Sequence, residues 1–253
     1  MGQARVARKL RALDPVADLK RRLAKEGLPA SFAKVRRITR AWWKQHGFAE
    51  QIASAGTAEV GKRIGTILIA QTMAESKRAG IVVLGELVGD HLHSLDLAAL
   101  GALLRDGHLA QPALVEAFAV RVLAKLLERE DTRARTIYDL SQWRHAERPW
   151  QRHAMCLAFL EIVPRAKQIA GLTEMVLAIC ASVVWSIDEI DQRAVGAILR
   201  ELSSAKPDDV ETFFLRYARF MSKACARAAV SRYAPARRVA LLAHHRRATT
   251  LTR

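Results

Sequence analysis

The sequence is poor in the residues that build sheets and disulfide frameworks. Phe, Trp and Tyr make up 6% of the 253 residues, and there are only three cysteines. Cys156, Cys180 and Cys225 are widely spaced, odd in number and each set in an apolar helical run. That excludes a disulfide framework and reads as buried free thiols in a reducing compartment. No apolar run approaches the roughly 18–20 residues of a membrane span, so no membrane partner is expected. Arg5, Arg8, Lys9 and Arg11 open the chain with no apolar stretch behind them. A secretory signal is therefore not expected, and a cytoplasmic, nucleoid-associated protein is. Gly61, Gly65, Gly80, Gly85 and Gly89 do not make a phosphate loop, because no Gly-Lys-Ser/Thr ending follows them. Zinc spacing, an RNP-like aromatic motif and a heptad zipper are all missing. His91 and His93, beside Asp90, have no second ligand cluster, so neither a metal nor a cofactor is expected. Acids are scarce as well: 25 Asp and Glu stand against 41 Lys and Arg, a net charge of +16.

What is present is helical. The hydrophobic fraction is 51%, enough for a continuous core, and Ala, Leu and Arg are abundant. A 3.6-residue period recurs almost everywhere, and sustained two-residue alternation nowhere. The spacing predicts helices over 15–26, 30–46, 57–80, 81–88, 95–104, 111–129, 133–143, 149–163, 166–183, 188–204 and 208–232. Asp14-Pro15 and Pro149-Trp150 start helices, and Gly27-Leu28-Pro29 and Gly47 break them. Helices of this length joined by short loops are the grammar of stacked antiparallel pairs, an α-solenoid. Starts near 111, 149 and 188 suggest a repeat carried by architecture and not by a motif; a closed bundle is the alternative. With no low-complexity linker, a single domain over 1–240 is expected, followed by a basic tail over 241–253.

The cations are patterned. In segment 208–232, Arg216, Arg219, Lys223 and Arg227 follow spacings of three, four and four. On one continuous helix they form a row of like charges, which repel unless an external anion lies against them. Lys34, Arg37 and Lys44, with Arg36 and Arg40 beside them, repeat the idea in 30–46. Arg121, Lys125 and Arg129 repeat it again in 111–129. A solvated face explains any single row; three rows point to a phosphate backbone, with duplex DNA as the expected partner of a monomer. Trp42, Trp43, Trp150 and Trp185 read as packing residues, although one of the Trp42-Trp43 pair is open to stacking on a sugar or base.

Several short stretches resemble the AlkD-like alkylpurine DNA glycosylases. Gln111–Ala124, QPALVEAFAVRVLA, is similar to the segment bearing that family's catalytic carboxylate. Pro149–Ala154 is similar to its Trp-x-x-Arg helix start, and Asp191–Val210, DQRAVGAILRELSSAKPDDV, to its basic helix and Lys-Pro-Asp opening. Gly27-Leu28-Pro29 with Arg36-Arg37 fits its early helix. The resemblance covers roughly residues 15–232. It implies a C-shaped solenoid of HEAT-like repeats with DNA on a basic concave face, and excision of N3- or N7-alkylated purines. It implies Glu116, at the family's Asp position, as the catalytic carboxylate. It also implies contacts to DNA from Arg152 or His153 and from Arg193 and Arg200. The family's two tryptophans correspond to Pro112 and Ala197 here. A non-catalytic relative that binds damaged or branched DNA is therefore the alternative, and a helical scaffold for an acidic protein is another.

Overall fold

The computed structural model describes residues 15–25, 30–48 and 57–250, and every regular element among them is helical. The basic first thirteen residues, Asp14, the Gly27-Leu28-Pro29 breaker and residues 251–253 lie outside the described residues. No helix among the described residues is long and apolar enough to cross a membrane. By compactness the chain divides into two units, Met1–Lys125 and Leu126–Arg253.

The first unit contains α1 (Pro15–Lys25), α2 (Phe32–Gln45), α3 (Thr57–Ile69), α4 (Ala74–Val82), α5 (Leu97–Arg105) and α6 (Pro112–Phe118). Ser31 caps α2 by accepting the amide N–H of Lys34, and Pro112 occupies the first turn of α6. The helices alternate between two layers, since α4 packs against α2 and α6 while α3 packs against α5. Two layers of stacked helix pairs are consistent with the expected α-solenoid. The 57–80 helix of the sequence reading is two helices. The chain turns after Ile69, and the Nζ of Lys77 donates to the carbonyls of Ile69 and His108. α3 and α4 then fold onto each other through glycine: a Cβ on Gly80 would sit 2.5 Å from the Gly65 carbonyl oxygen. Trp42 and Trp43 are both core residues, which removes either as a surface stacking group.

Two π-helical turns follow, Val83–Leu87 after α4 and Ala119–Leu123 after α6, and they pack against each other. Each widens its helix by one residue, a local feature often found near functional groups. Gly85 is where they touch, because a Cβ there would lie 2.3 Å from the Arg121 carbonyl oxygen.

The second unit contains α8 (Arg133–Ser141), α9 (Pro149–Ile162), α10 (Leu172–Val183), α11 (Glu189–Ala205), α12 (Pro207–Tyr217), α13 (Lys223–Ala229) and α14 (Pro235–Thr250). α7 (Ala124–Glu128) holds the boundary between the units. One layer runs α9, α11, α13 and the other α10, α12, α14. The helix expected from 166 begins only at Leu172, because Gly171 is in the left-handed region at φ 74°. Residues 241–250, expected as part of a loose tail, are the second half of α14, with Leu241 and His245 buried. His244 and His245 donate to the carbonyls of Leu215 and Met221, and Arg237 pairs with Glu211. Those carbonyls lie at or just past the end of α12, where helical partners run out.

The three thiols are buried in this unit. Burial pushes all of them up, Cys225 to about 12, with the Asp191 charge adding to the effect on Cys156.

Gly85→Ala is expected to lower stability by about 1–3 kcal/mol, since its methyl meets backbone and not a side chain that can move away. Denaturant unfolding measures it; a variant as stable as the parent would show that the two π turns can separate at no cost.

Candidate nucleic-acid interface

Some of the positions read as cationic contacts are held by acids of the chain, and others are exposed with no ion pair among the described residues. In the first unit, Arg36 and Arg40 of α2 and Arg121 of the second π turn converge on Glu86 of the first. The distances are 2.7 Å from Arg36 Nε, 2.8 Å from Arg40 Nη2 and 3.2 Å from Arg121 Nη1. The Glu86 side chain is only 11% exposed, whereas the three arginines reach solvent. The Arg121 guanidinium also lies over the Phe32 ring, 4.3 Å from its centroid. One carboxylate therefore fixes three guanidiniums and neutralises one, leaving a local excess of two positive charges. Ala33, Arg36, Arg37 and Arg40 line an open cavity of about 280 Å³ on the same helix. Arg37 and Lys44 are exposed and form no ion pair among the described residues, while Lys34 and Lys125 are half-buried. Glu86 was not visible as a functional group in sequence, because its role comes from three helices meeting.

Glu116 is exposed in the second turn of α6, and its carboxylate has no hydrogen-bonding or ionic partner among the described residues. Pro112, one turn earlier, starts the same helix. Ala197, on α11, is half-buried.

In the second unit Arg152 has an internal role. Its Nε donates to Asp191 at 2.8 Å, its Nη2 to Asp188 at 2.9 Å, and its Nη1 to the carbonyls of Ala146 and Glu147; Nη2 also lies 2.6 Å from Asp191 as an ion pair. The guanidinium thus donates four hydrogen bonds within the chain, and the side chain is 15% exposed. Arg152 locks the start of α9 to the start of α11, which leaves little of it for a phosphate. Its neighbour His153 is half-buried, edge-on to Trp150 at 6.2 Å between ring centroids. Arg193 and Arg200 are exposed but paired, with Glu189 at 2.9 Å and Glu201 at 3.0 Å.

Segment 208–232 is not one helix. α12 ends at Tyr217, a 3-10 turn covers Ala218–Phe220, Met221 is extended, and Ser222 caps α13 by accepting the Cys225 amide. The break survives because the buried Gln192 of α11 serves the freed backbone. Its Oε1 accepts the Ser222 N–H at 2.9 Å and its Nε2 donates to the Phe220 carbonyl at 3.1 Å. Arg216, Arg219, Lys223 and Arg227 are consequently divided between α12, the turn and α13, and do not form a single helical row. All four are exposed, and none forms an ion pair among the described residues. Arg216 and Arg219 lie over the rings of Tyr217 and Phe220, at 5.4 and 4.4 Å from the centroids.

The sequence reading also missed Trp185. It stands in the loop between α10 and α11, 56% exposed, where packing between repeats was expected. Among the described residues no group of three or more His, Cys, Asp or Glu side chains is arranged to hold a metal ion.

Because Asp191 is fully buried, Arg152→Ala leaves an uncompensated charge in the interior and is expected to cost about 3–5 kcal/mol. Arg152→Lys is expected to recover little of this, since an ammonium cannot reproduce the five-donor fork. Equilibrium unfolding of the two variants decides it; wild-type stability in Arg152→Ala would return this side chain to the list of available DNA contacts.

Comparison with curated proteins returns no match. The sequence does match the family described as DNA alkylation repair enzyme over residues 27–233, which takes in α2 through α13. A match over that span, on an all-helical chain of two-layered helix pairs, establishes that the chain belongs to the DNA alkylation repair enzyme family.

Proposed function

We propose that the protein binds duplex DNA through its exposed cations and recognises N3- or N7-alkylated purines, with Glu116 as the carboxylate that supports their excision. The observation carrying this reading is the set of exposed cations with no ion pair among the described residues: Arg37 and Lys44 in the first unit, and Arg216, Arg219, Lys223 and Arg227 in the second. Grouped positive charge of this kind suits phosphate, whose neutralisation releases counterions. The three guanidiniums on Glu86 add a fixed positive patch, and guanidinium forks match phosphate oxygens. No base-reading motif accompanies them, so contacts to the backbone dominate.

The chemistry this reading asks for is modest. A purine alkylated at N3 or N7 carries positive charge and leaves readily. The difficulty is on the sugar, which becomes oxocarbenium-like as the glycosidic bond breaks. A carboxylate beside it stabilises that charge or orients the attacking water. Glu116 is exposed and forms no ion pair among the described residues, so its carboxylate is open to an incoming sugar. A second reading, binding without excision, is favoured by Pro112 and Ala197, which offer no aromatic face where the resembled glycosylases have tryptophan.

Affinity for duplex DNA is expected to fall by about a thousandfold between 50 and 200 mM salt, the slope for roughly six phosphate contacts. Reversing Arg219 and Lys223 together to Glu should weaken binding without unfolding the chain. Fluorescence anisotropy across a salt series measures both, and a flat salt response would remove DNA as the partner.

Release of methylated purine from alkylated DNA separates the two readings. For an active protein, Glu116→Gln should slow release by about a hundredfold or more while leaving affinity unchanged or slightly raised. Full activity in the variant would make Glu116 a surface residue only. A wild type that binds but releases no base would establish binding alone.

A further inference from the structure

The break between α12 and α13 and the loop between α10 and α11 together build an aromatic shelf. Trp185 packs on Phe220 with ring centroids 3.6 Å apart, and Arg219 lies over the same Phe220 ring. Ile187, two residues beyond Trp185, is 99% exposed. Trp185 and Ile187, so open to water on one short loop beside Phe220, make an exposed apolar patch, and such patches mark interaction sites.

The shelf is held rigidly. Gln192 is buried beneath it, and its Nε2 lies 2.6 Å from the Val184 carbonyl, 3.1 Å from that of Ser186 and 3.1 Å from that of Phe220. Its Oε1 accepts the Ser222 N–H. A single amide thus binds the residues on both sides of Trp185 to the residues on both sides of Met221. The loop is fastened a second time, because the Ser186 hydroxyl meets Asp188, which is held by Arg152. A preorganised aromatic surface loses little entropy when a ligand settles on it.

The charges around the shelf select the ligand. Arg219 and Lys223 are exposed and form no ion pair among the described residues, whereas Glu189 is paired with Arg193 and the two carboxylates Asp188 and Asp191 share Arg152, so these seven groups together keep one net positive charge. A flat π surface with free cations at its rim suits a base attached to a phosphodiester backbone. Stacking on an aromatic face tolerates any base, and the cations take the flanking phosphates. A base inside a duplex has both faces covered, so the shelf can accept only one that has left the stack. An exposed aliphatic side chain such as Ile187 is the kind of group that rests against a base step opened in this way.

We propose that Trp185, with Phe220 behind it and Arg219 and Lys223 at its rim, is a stacking site for an unpaired base of DNA, and that it directs the protein to duplexes carrying a bulged or flapped nucleotide. The proposal rests on the DNA-binding reading above and adds to it a preference that charge alone does not give.

The test uses the full chain and two duplexes of equal length, one fully paired and one carrying a single bulged 2-aminopurine. Wild type is expected to bind the bulged duplex about tenfold or more tightly, the worth of one base on one aromatic ring. It is also expected to quench the 2-aminopurine emission. Trp185→Ala should lose both the preference and the quenching while binding the paired duplex as before; Trp185→Phe should keep part of each. Ile187→Ala, at a position too exposed to affect folding, should narrow the preference several-fold. Equal preference in wild type and Trp185→Ala overturns the proposal. So does a wild type that binds the paired duplex but ignores the bulge, and in that case the DNA-binding reading stands. A wild type that binds neither duplex overturns both. A wild type that dimerises in sedimentation, with Trp185→Ala monomeric, would assign the shelf to a second copy of the chain and overturn the proposal in that way.

Discussion

A chain with 41 basic and 25 acidic side chains cannot pair every cation, and which cations receive an acid governs much of this structure. Where an acid is buried it serves architecture. Asp191, fully buried, holds Arg152 and with it the relation of α9 to α11; Glu86 gathers three guanidiniums from two other helix segments of its layer. In low-dielectric surroundings such charges must be paired, and Asp191 is paired through its Oδ2 while its Oδ1 is buried without a hydrogen bond, so these acids have no freedom to compensate others. The cations left over lie on the surface, and their mutual repulsion is relieved only by something brought from outside. The chain belongs to the DNA alkylation repair enzyme family, and the DNA-binding proposal names a polyanion as that partner.

The helices themselves were legible because the 3.6-residue period and the proline and serine start signals are local. The starts at Pro15 and Pro149 stand where the sequence put them, and α6 begins at Pro112, one residue after the expected Gln111. Illegible features were those decided by a distant partner. Nothing within 208–232 announces that Gln192 will accept the Ser222 amide, yet without that amide group the helix has no reason to break. Likewise 57–80 reads as one helix until Lys77 reaches back to the Ile69 carbonyl. Residues 241–250 show little apolar stripe, and their place is set by two histidines donating to carbonyls of another segment.

The same distinction runs through the candidate site. Exposed cations such as Arg219 and Lys223 were readable from composition and spacing, whereas Arg152 reads in sequence like any other arginine. Only the two aspartates and two carbonyls around it reveal a structural fork. Trp185 is the opposite case. Tryptophan is usually counted as core, and its exposure here follows from a loop whose backbone carbonyls are held from below by Gln192, leaving the ring on the outside. The two π turns belong with these. Each depends on a helix from elsewhere in the fold, since Gly85 brings one against the backbone of the other.

The three cysteines bear on the surroundings in which such a family works. Electrophiles that alkylate purines react readily with thiolates, which are softer and stronger nucleophiles than ring nitrogens. Cys156, Cys180 and Cys225 are out of reach of solvent, and burial holds each as the neutral thiol. The chain therefore presents no cysteine sulfur to the reagents that damage the DNA its family repairs. A protein with a surface thiolate would offer those reagents a site that this chain's cysteines do not.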